Sequence, residues 1–306
     1  MTTRSGLGSS AVSRRTMLVV GGALGVAAAT AGCTPRADGT SAPPSPSTEA
    51  APTASAAPTA SSEWTVVWEE DFSSGVLDAS VWTAADYGGN RDLNEKQYND
   101  PAMVAIEDGN LVLHTRRQER DGYLYAAGSI SSKGKRDVGP YGRLTTRQLL
   151  GPGQGLGFGV CLYGVDIDSV GWPACGEIDA TEIALGRPGS PFASVHGPGY
   201  SGGSPISTTG AVPSLVNRWA EHVLEWEPGR ISWAIDGTVY HVAEASDPRA
   251  SGGWPFDQPF FVTLVLTIGS YLSGDVDEST WPRDENGVEQ DPYVVVDFVR
   301  FEQRTT

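Results

Sequence analysis

The chain has 306 residues and a formal net charge of −16, and hydrophobic residues make up 39% of it. This length allows one large all-β domain or two ordinary domains, and the apolar content is sufficient for a buried core. The excess of acidic residues argues against a nucleic-acid-binding protein, because few cations are present to neutralise phosphates. It suits an extracellular protein that acts on a neutral polymer.

The first 32 residues resemble an export signal. Arg14 and Arg15 form a twin-arginine start, and residues 17–32 are apolar or small but too few for a membrane span of ~20 residues. The run ends at Cys33 in what resembles a bacterial lipoprotein processing site, although Thr30 departs from the usual larger aliphatic residue. We therefore expect twin-arginine export, with the protein extracellular and anchored to the cell membrane by a lipid on Cys33.

Residues 33–62 are rich in Pro, Ala, Ser and Thr, a composition that cannot bury a core and predicts a flexible tether. Residues 63–303 should form the folded domain. We expect a monomer whose contact with a membrane is limited to the lipid on Cys33.

Strand-like runs recur through this domain, with turn residues between them. The runs that predict strands are Trp64–Phe72, Asn110–Thr115, Leu124–Ile130, Tyr141–Leu149, Arg218–Trp226, Ile231–Ile235, Phe260–Ile268 and Tyr293–Phe301. Phe260–Ile268 begins with a continuous apolar stretch, which predicts a strand covered on both faces. Asp236-Gly237 predicts a tight hairpin. No long segment after the signal has helical periodicity, so the sequence predicts an all-β domain of two packed sheets.

Three acidic residues fall within six positions in the run from Cys175 to Ile183. If this run is a strand, Glu177 and Asp179 point to the same face, whereas Glu182 joins them only if a bulge occurs near residues 180–181. Three close carboxyl groups cannot all ionise near neutral pH, so at least one pKa should rise, as a general acid requires. The competing interpretation is a solvated acidic strand edge.

The surrounding motifs resemble family 16 glycoside hydrolases, in particular the bulged laminarinase-like (endo-β-1,3-glucanase) branch. The central match is Trp172-Pro173-x-x-Gly176-Glu177-Ile178-Asp179-x-x-Glu182. Further matches in family order are Trp68–Phe72, Asn94–Tyr98, Gly109–Leu113, Tyr141–Arg143, Gly153–Gly155, His196–Tyr200, Glu225–Pro228 and Val296–Arg300. The resemblance covers residues 64–302 and implies a curved antiparallel jelly roll with a concave substrate cleft.

The resemblance also implies roles for individual residues. Glu177 would be the nucleophile and Glu182 the general acid/base of a retaining reaction, with Asp179 assisting. The residues expected to contact a polysaccharide substrate are Trp172, His196 (close to Glu182), Asn94, Glu95 and Gln97. The chemistry needs no cofactor. One structural Ca²⁺ is implied at Asp71 (or Glu70), the backbone of Gly109 and Asp297, although ordinary surface acids are the alternative.

Four positions depart from the family pattern. Gly157 and Cys161 stand where the family has two Trp residues, Leu272 replaces another Trp, and Ser129 replaces an Arg that contacts substrate. If residue 157 pairs with residue 179 and Cys161 with Cys175, the first two positions face the cleft. We expect conserved chemistry with altered sugar subsites, and either one disulfide or two free thiols at Cys161 and Cys175.

Three other functions fit parts of this sequence. The run Gly199–Gly203 fits the Gly-x-Ser-x-Gly elbow of serine hydrolases, but loop residues follow it where that motif needs a helix. A non-catalytic glycan-binding protein on the same fold is the stronger alternative, because aromatic platforms are missing. A transglycosylase, in which a sugar replaces water as acceptor, is the third.

Overall fold

The computed structural model describes residues 64–305. The predicted export signal, the lipidation site Cys33 and the linker lie outside the described residues. Between residues 64 and 305, no helix is long and apolar enough to cross a membrane.

The described domain is built almost entirely from strands. They are β1 (Trp64–Glu70), β2 (Thr83–Ala84), β3 (Tyr87–Gly88), β4 (Gln97–Asn99), β5 (Val104–Glu107), β6 (Asn110–Arg120), β7 (Tyr123–Ala127), β8 (Ser129–Ser131), β9 (Asp137–Val138), β10 (Gly142–Leu150), β11 (Leu156–Gly164), β12 (Glu177–Ala184), β13 (Phe192–His196), β14 (Ile206–Thr209), β15 (Trp219–Glu227), β16 (Arg230–Ile235), β17 (Thr238–Glu244), β18 (Phe260–Ile268) and β19 (Tyr293–Arg304). The described helices are short: α1 (Ile167–Val170) and 3₁₀ turns at Arg91–Leu93, Pro101–Met103, Pro248–Gly252 and Glu278–Thr280.

The strands form two sheets. The 11-stranded sheet has the order β17-β16-β15-β10-β19-β6-β7-β4-β3, with β1 on β19 and β5 on β6. The 8-stranded sheet has the order β14-β13-β12-β11-β18-β8-β2, with β9 on β18. Apolar side chains of both sheets meet in one core, among them Phe158 and Leu264 from one sheet and Trp233 and Val299 from the other. The predicted two-sheet all-β architecture is confirmed. We call the side of the 8-stranded sheet that faces away from this core the open face.

Seven of the eight strands predicted from local pattern each correspond to one strand of the structure. The bounds of β18 match the prediction, and Asp236 and Gly237 form a hairpin in which both residues have positive φ, as a tight two-residue turn requires. The expectation that β18 is covered on both faces is wrong, because its second half alternates, with Thr263, Val265 and Thr267 half-buried on the open face. The predicted strand Leu124–Ile130 is divided, since β7 belongs to one sheet and β8 to the other.

Candidate active site

Strand β12 carries the three acidic residues. Its side chains alternate between the core and the open face, as the pleat of a strand dictates. Ile178 and Ile183 are buried in the core, whereas Glu177 and Glu182 are only partly buried. Glu177 and Asp179 are two residues apart, and they therefore share the open face.

A bulge brings Glu182 to the same face. The pairing of β12 with β13 changes register between Asp179 and Glu182, and its pairing with β11 changes register between Val160 and Cys161. The extra residue in β12 lets Thr181 face the core, with 1% of its surface exposed, while the next residue returns to the open face. The bulge predicted from the spacing of the acids is confirmed.

Strand β11 lies beside β12 in a register that differs from the predicted one. Cys161 pairs with Asp179 and Gly157 with Ala184, so the prediction that Cys161 faces Cys175 is wrong. The segment between the two strands contains α1 and a further turn, and it uses residues that the prediction had assigned to β12. Gly157 and Cys161, two of the departures from the family pattern, nevertheless lie on β11 next to the strand that carries the three acids, as expected.

Two hydrogen-bond donors contact the carboxylate of Glu177. Trp172 Nε1 donates a hydrogen bond to Glu177 Oε2 at 2.6 Å, and the hydroxyl of Tyr163 also donates to this carboxylate. Burial and the negative charge of Asp179 raise the pKa of Glu177 to about 7, while the charge of His196 and the two donors oppose this rise. Glu177 can therefore exist as a carboxylate at neutral pH.

Glu182 has no such support. Burial, followed by the negative charges of Asp179 and Glu177, raises the pKa of Glu182 well above its usual range, and no hydrogen bond from residues 64–305 opposes the rise. When Glu177 is ionised, Glu182 consequently keeps its proton. The site thus places a carboxylate and a carboxylic acid on one strand face, which is the pair that acid-assisted cleavage of an acetal needs.

Asp179 is held by its neighbours on β13. The Ser194 hydroxyl donates to Asp179 Oδ2, and His196 Nε2 lies 3.2 Å from the same oxygen. Burial disfavours the charged imidazolium, but the hydrogen bond to Asp179 and the charges of Asp179 and Glu177 outweigh it and raise the pKa of His196. These donors fix the orientation of the Asp179 carboxylate beside Glu177.

Cys161 lies within the acid cluster. Its Sγ and carboxylate oxygens of Glu177 and Asp179 all lie within 4.8 Å of one another. Burial first, and then the nearby acids, raise the pKa of this thiol well above its usual range, so it remains protonated and donates to Asp179. Cys161 and Cys175 are both buried free thiols, and of the two alternatives left open by the sequence the disulfide is excluded.

Trp172 stands at the edge of this cluster. Its side chain is 46% exposed, and its ring centroid lies 5.9 Å from that of His196. This exposed indole lies where a ligand bound beside Glu177 would meet it. His196 was expected close to Glu182, but in the ladder it pairs with Glu177 and contacts Asp179 instead.

The segment that contains Asn94, Glu95 and Gln97 lies at the end of β18. Asn94 Nδ2 donates to the carbonyl of Gly269 at 2.7 Å, and Gln97 Oε1 accepts from the amide of Ile268 at 2.9 Å. Gln97 Nε2 donates to Glu95 Oε2 at 2.9 Å, and burial raises the pKa of Glu95. Because Gln97 is fully buried, its side chain supports this segment and cannot touch a sugar directly, which corrects the expectation for that residue.

Small side chains replace the aromatic platforms on the open face. A Cβ atom on Gly157 would lie 2.7 Å from Thr267 Oγ1, so this hydroxyl occupies the space that a larger side chain would need. Ser129 is 1% exposed, and Leu272 is half-buried. On β11, the strand beside the three acids, Gly157 and Cys161 thus present small side chains where the family pattern has aromatic rings.

The residues expected to hold calcium lie on the other sheet. Asp71 follows β1, Gly109 precedes β6 and Asp297 belongs to β19, and both β1 and β6 pair with β19. Oxygen ligands of this kind suit Ca²⁺. However, Arg147 Nη1 lies 2.5 Å from Asp297 Oδ2, and Asp71 Oδ1 accepts from the Ser73 amide at 3.0 Å, so these contacts compete with a cation. The calcium site stays a prediction.

Tyr163 and Ser194 were missed in the sequence. Tyr163 lies opposite Glu177 on β11, and Ser194 lies opposite Asp179 on β13. The signal that points to them is strand alternation, since each is two residues from a residue already singled out, Cys161 or His196. Using that signal requires the register between strands, which the sequence did not provide.

A two-sheet β-sandwich with a carboxylate and a protonated carboxylic acid on one open face has the fold and the acid pair of a glycoside hydrolase. The model of the glycosyl hydrolases family 16 matches residues 92–286. The chain therefore belongs to glycosyl hydrolase family 16, as its motifs predicted.

Relatives share this fold across most of the chain. A beta-glucanase from Rhodothermus marinus is 28% identical over 256 residues, which cover 78% of this chain and 84% of that protein. The endo-beta-1,3-glucanase from Pyrococcus furiosus superposes with a TM-score of 0.73 at 29% identity, covering 79% of this chain and 95% of its own. The laminarinase catalytic domain from Thermotoga maritima gives a TM-score of 0.73 at 28% identity, covering 80% and 100%.

Proposed function

We propose that this protein is an exported, retaining endo-β-glucanase whose preferred substrate is laminarin-like β-1,3-glucan. The glucanases and laminarinase among its relatives support the substrate class. The observation that supports the chemistry is the unequal environment of two glutamates on one face: among residues 64–305, Glu177 has two hydrogen-bond donors and Glu182 has none.

The reaction proceeds in two displacements. The Glu177 carboxylate attacks the anomeric carbon while Glu182 donates its proton to the departing glycosidic oxygen, so that a glycosyl ester on Glu177 replaces the glycosidic bond. Glu182, now a carboxylate, takes a proton from water as that water attacks the same carbon and releases Glu177. The contacts of Ser194 and His196 with Asp179 hold its carboxylate in a fixed orientation between the two glutamates.

A substrate panel tests the proposal. The purified protein should release reducing ends from β-1,3-glucan, more slowly from mixed-linkage β-glucan, and Glu177→Gln should abolish the release. Binding of glucans without release would instead support the non-catalytic alternative. Products longer than the starting oligosaccharide, resolved by size, would show that a sugar acceptor competes with water.

The roles of the two glutamates can be separated with azide and an activated aryl β-glucoside. In Glu177→Ala, azide takes the place of the nucleophile and should give the α-glycosyl azide. In Glu182→Ala, azide attacks the glycosyl ester from the opposite face and should give the β-glycosyl azide. The reverse pattern would exchange the two assignments.

We further propose that the twin-arginine signal exports the folded domain, that Cys33 carries the lipid anchor, and that residues 33–62 hold the domain away from the membrane. The apolar run ending in Cys33 and the Pro/Ala/Ser/Thr-rich composition that follows it support this topology. Mass spectrometry of the mature protein should find a diacylglyceryl group on an N-terminal Cys33, and Cys33→Ala should release the protein into the medium. An unmodified Cys33 in the mature chain would contradict the anchor.

A further inference from the structure

A main-chain carbonyl at the bulge in β12 accepts a hydrogen bond from the opposite sheet. Trp233 Nε1 donates to the carbonyl oxygen of Asp179 at 2.8 Å. Trp233 belongs to β16 of the 11-stranded sheet and is fully buried. Its indole therefore reaches across the core to the residue at which the bulge begins.

A second contact across the core reaches the other side of the bulge. Gln148 Nε2 donates to Thr181 Oγ1 at 3.0 Å and to Thr146 Oγ1 at 2.6 Å. Gln148 belongs to β10 of the 11-stranded sheet and is also fully buried. The Nε2 donor of this buried amide is thus paired on its own strand and on β12, whereas its Oε1 has no partner among the described residues.

Both donors lie where the pairing of their strands is irregular. The pairing of β10 with β19 changes register between Arg147 and Gln148, where β19 has an extra residue. The pairing of β16 with β17 changes register between Trp233 and Ala234, where β17 has an extra residue. Each donor thus lies next to a bulge of the neighbouring strand, and its polar contact reaches β12 at residue 179 or 181.

We propose that Trp233 and Gln148 are positioning residues, which hold the bulge of β12 and thereby keep Glu182 on the open face with Glu177 and Asp179. This inference rests on the proposed roles of the two glutamates. Without the bulge, β12 would be a regular strand, and a shift of one residue would turn the side chain of Glu182 towards the core. Neither Trp233 nor Gln148 touches the substrate, and both act through the backbone and side chain of β12.

The main test is Trp233→Phe, which keeps an aromatic ring in the core, removes the N–H donor and leaves a smaller ring, a loss of volume that the control shares. We expect kcat to fall by about 10- to 100-fold, because small displacements of reacting groups have effects of this size, while KM changes little. The matched control is Trp226→Phe. Trp226 is equally buried on the neighbouring strand β15, and its Nε1 donates at 2.9 Å to the carbonyl of Phe256, outside the catalytic strand.

A loss of kcat in Trp233→Phe that exceeds the loss in Trp226→Phe supports the proposal. Equal losses in the two variants, or an unchanged kcat in Trp233→Phe, would overturn it, because core destabilisation alone would then explain the result. For Gln148, a double-mutant cycle of Gln148→Leu with Thr181→Val should be strongly non-additive, since each change removes the same hydrogen bond. Additive effects on kcat would remove Gln148 from the proposal.

A second readout does not depend on activity. In protein labelled with ¹³C at glutamate carboxyl groups, the titration of Glu182 should shift in Trp233→Phe relative to the wild type, because a relaxed bulge changes both its burial and its distance from Asp179 and Glu177. Trp226→Phe should leave this titration unchanged. If the wild type cleaves no β-glucan but the titration still shifts, the proposed function fails while the positioning role stands. An unshifted titration in Trp233→Phe would contradict the positioning role itself.

Discussion

The proposed reaction needs opposite protonation states of Glu177 and Glu182, and their surroundings provide them. Attack by Glu177 requires its carboxylate, so activity is lost when this group is protonated as the pH falls. Proton donation by Glu182 requires its acid form, so activity is lost when it ionises as the pH rises. The two carboxyl groups interact through their charges. The two limbs of a pH profile therefore report apparent pKa values that belong to the pair and not to either residue alone.

The acid limb of kcat/KM should therefore lie unusually high. The pKa of Glu177 is about 7, whereas an ordinary glutamate titrates at ~4.3. We expect kcat/KM to rise with pH towards neutrality and to decline only at higher pH, where Glu182 loses its proton. Initial rates on a soluble β-1,3-glucan between about pH 4 and 9 measure both limbs. An acid limb at the pH of an ordinary carboxyl group would contradict the burial-driven shift.

The two donors to Glu177 can be removed one at a time. Tyr163→Phe and Trp172→Phe each delete one hydrogen bond to the carboxylate, which should raise the pKa of Glu177 and move the acid limb to higher pH. A hydrogen bond to a charged group is worth ~1.5–3 kcal/mol, so the shift should be about one to two pH units. Tyr141→Phe is a suitable control, because its hydroxyl donates to Asp257 at 2.7 Å, away from Glu177. An acid limb that moves to lower pH in either donor variant would contradict the hydrogen bonds from Tyr163 and Trp172 to Glu177.

At the scale of strands, the sequence predicted β12, its bulge and its pairing with β11, but not the register of that pairing. The bulge could be predicted because three acids with roles on one face need an extra residue at that point. The register of β11 could not, because it depends on the length of the connection through α1, which no local pattern reports. For the same reason Tyr163 and Ser194 were missed, although each follows the alternation of its own strand.

Contacts between the two sheets are even harder to predict from the sequence than the register of neighbouring strands. Trp233 and Gln148 read as ordinary members of their strands, and nothing near them in the chain indicates their partners on β12. Their role is visible only when two sheets that are distant in sequence are packed together. The polar layer that they form is one of the features of this core that a pattern of apolar residues cannot predict.

Strand β15 contributes a buried histidine to the core, and this should make stability depend on pH. His222 is 3% exposed, and burial lowers its pKa from 6.5 to about 4. Below pH 6.5 the unfolded chain binds a proton here that the folded chain does not bind until the pH reaches about 4. The unfolding free energy should therefore fall as the pH drops through this window, by about 3 kcal/mol in total.

Urea denaturation at several pH values, comparing wild type with His222→Gln, isolates this contribution. The acids Glu177 and Glu182 shift stability in the opposite direction, because their raised pKa values make the folded state bind protons first. They are present in both proteins and cancel in the comparison. The stability gap between wild type and variant should shrink as the pH falls from neutrality. A gap that is independent of pH would contradict a neutral His222 in the fold.

At the scale of the whole domain, composition and alternation were sufficient for the fold class, and the motifs were sufficient for the family. The order of strands within each sheet was not predictable, because it is set by pairings between distant residues. The pairing of β1 with β19 is the extreme case, since it joins Trp64 to Arg304 at the two ends of the described domain. Closing the chain in this way brings Asp71, Gly109 and Asp297 to strands that are neighbours in one sheet.

Because the three expected calcium ligands come together only in the folded chain, the calcium prediction can be tested through stability. An ion held by Asp71, the Gly109 carbonyl and Asp297 would bind only the folded chain, and at 100 times its Kd it would stabilise that state by ~2.7 kcal/mol. We expect the thermal midpoint to be higher with Ca²⁺ than with a chelator, and Asp297→Asn to abolish the difference. Asp168→Asn is the control, because Asp168 is an exposed acid paired with Lys133 at 2.6 Å. If Ca²⁺ does not move the midpoint, or if Asp297→Asn keeps the full shift, the Arg147 contact has prevailed over the ion at Asp297.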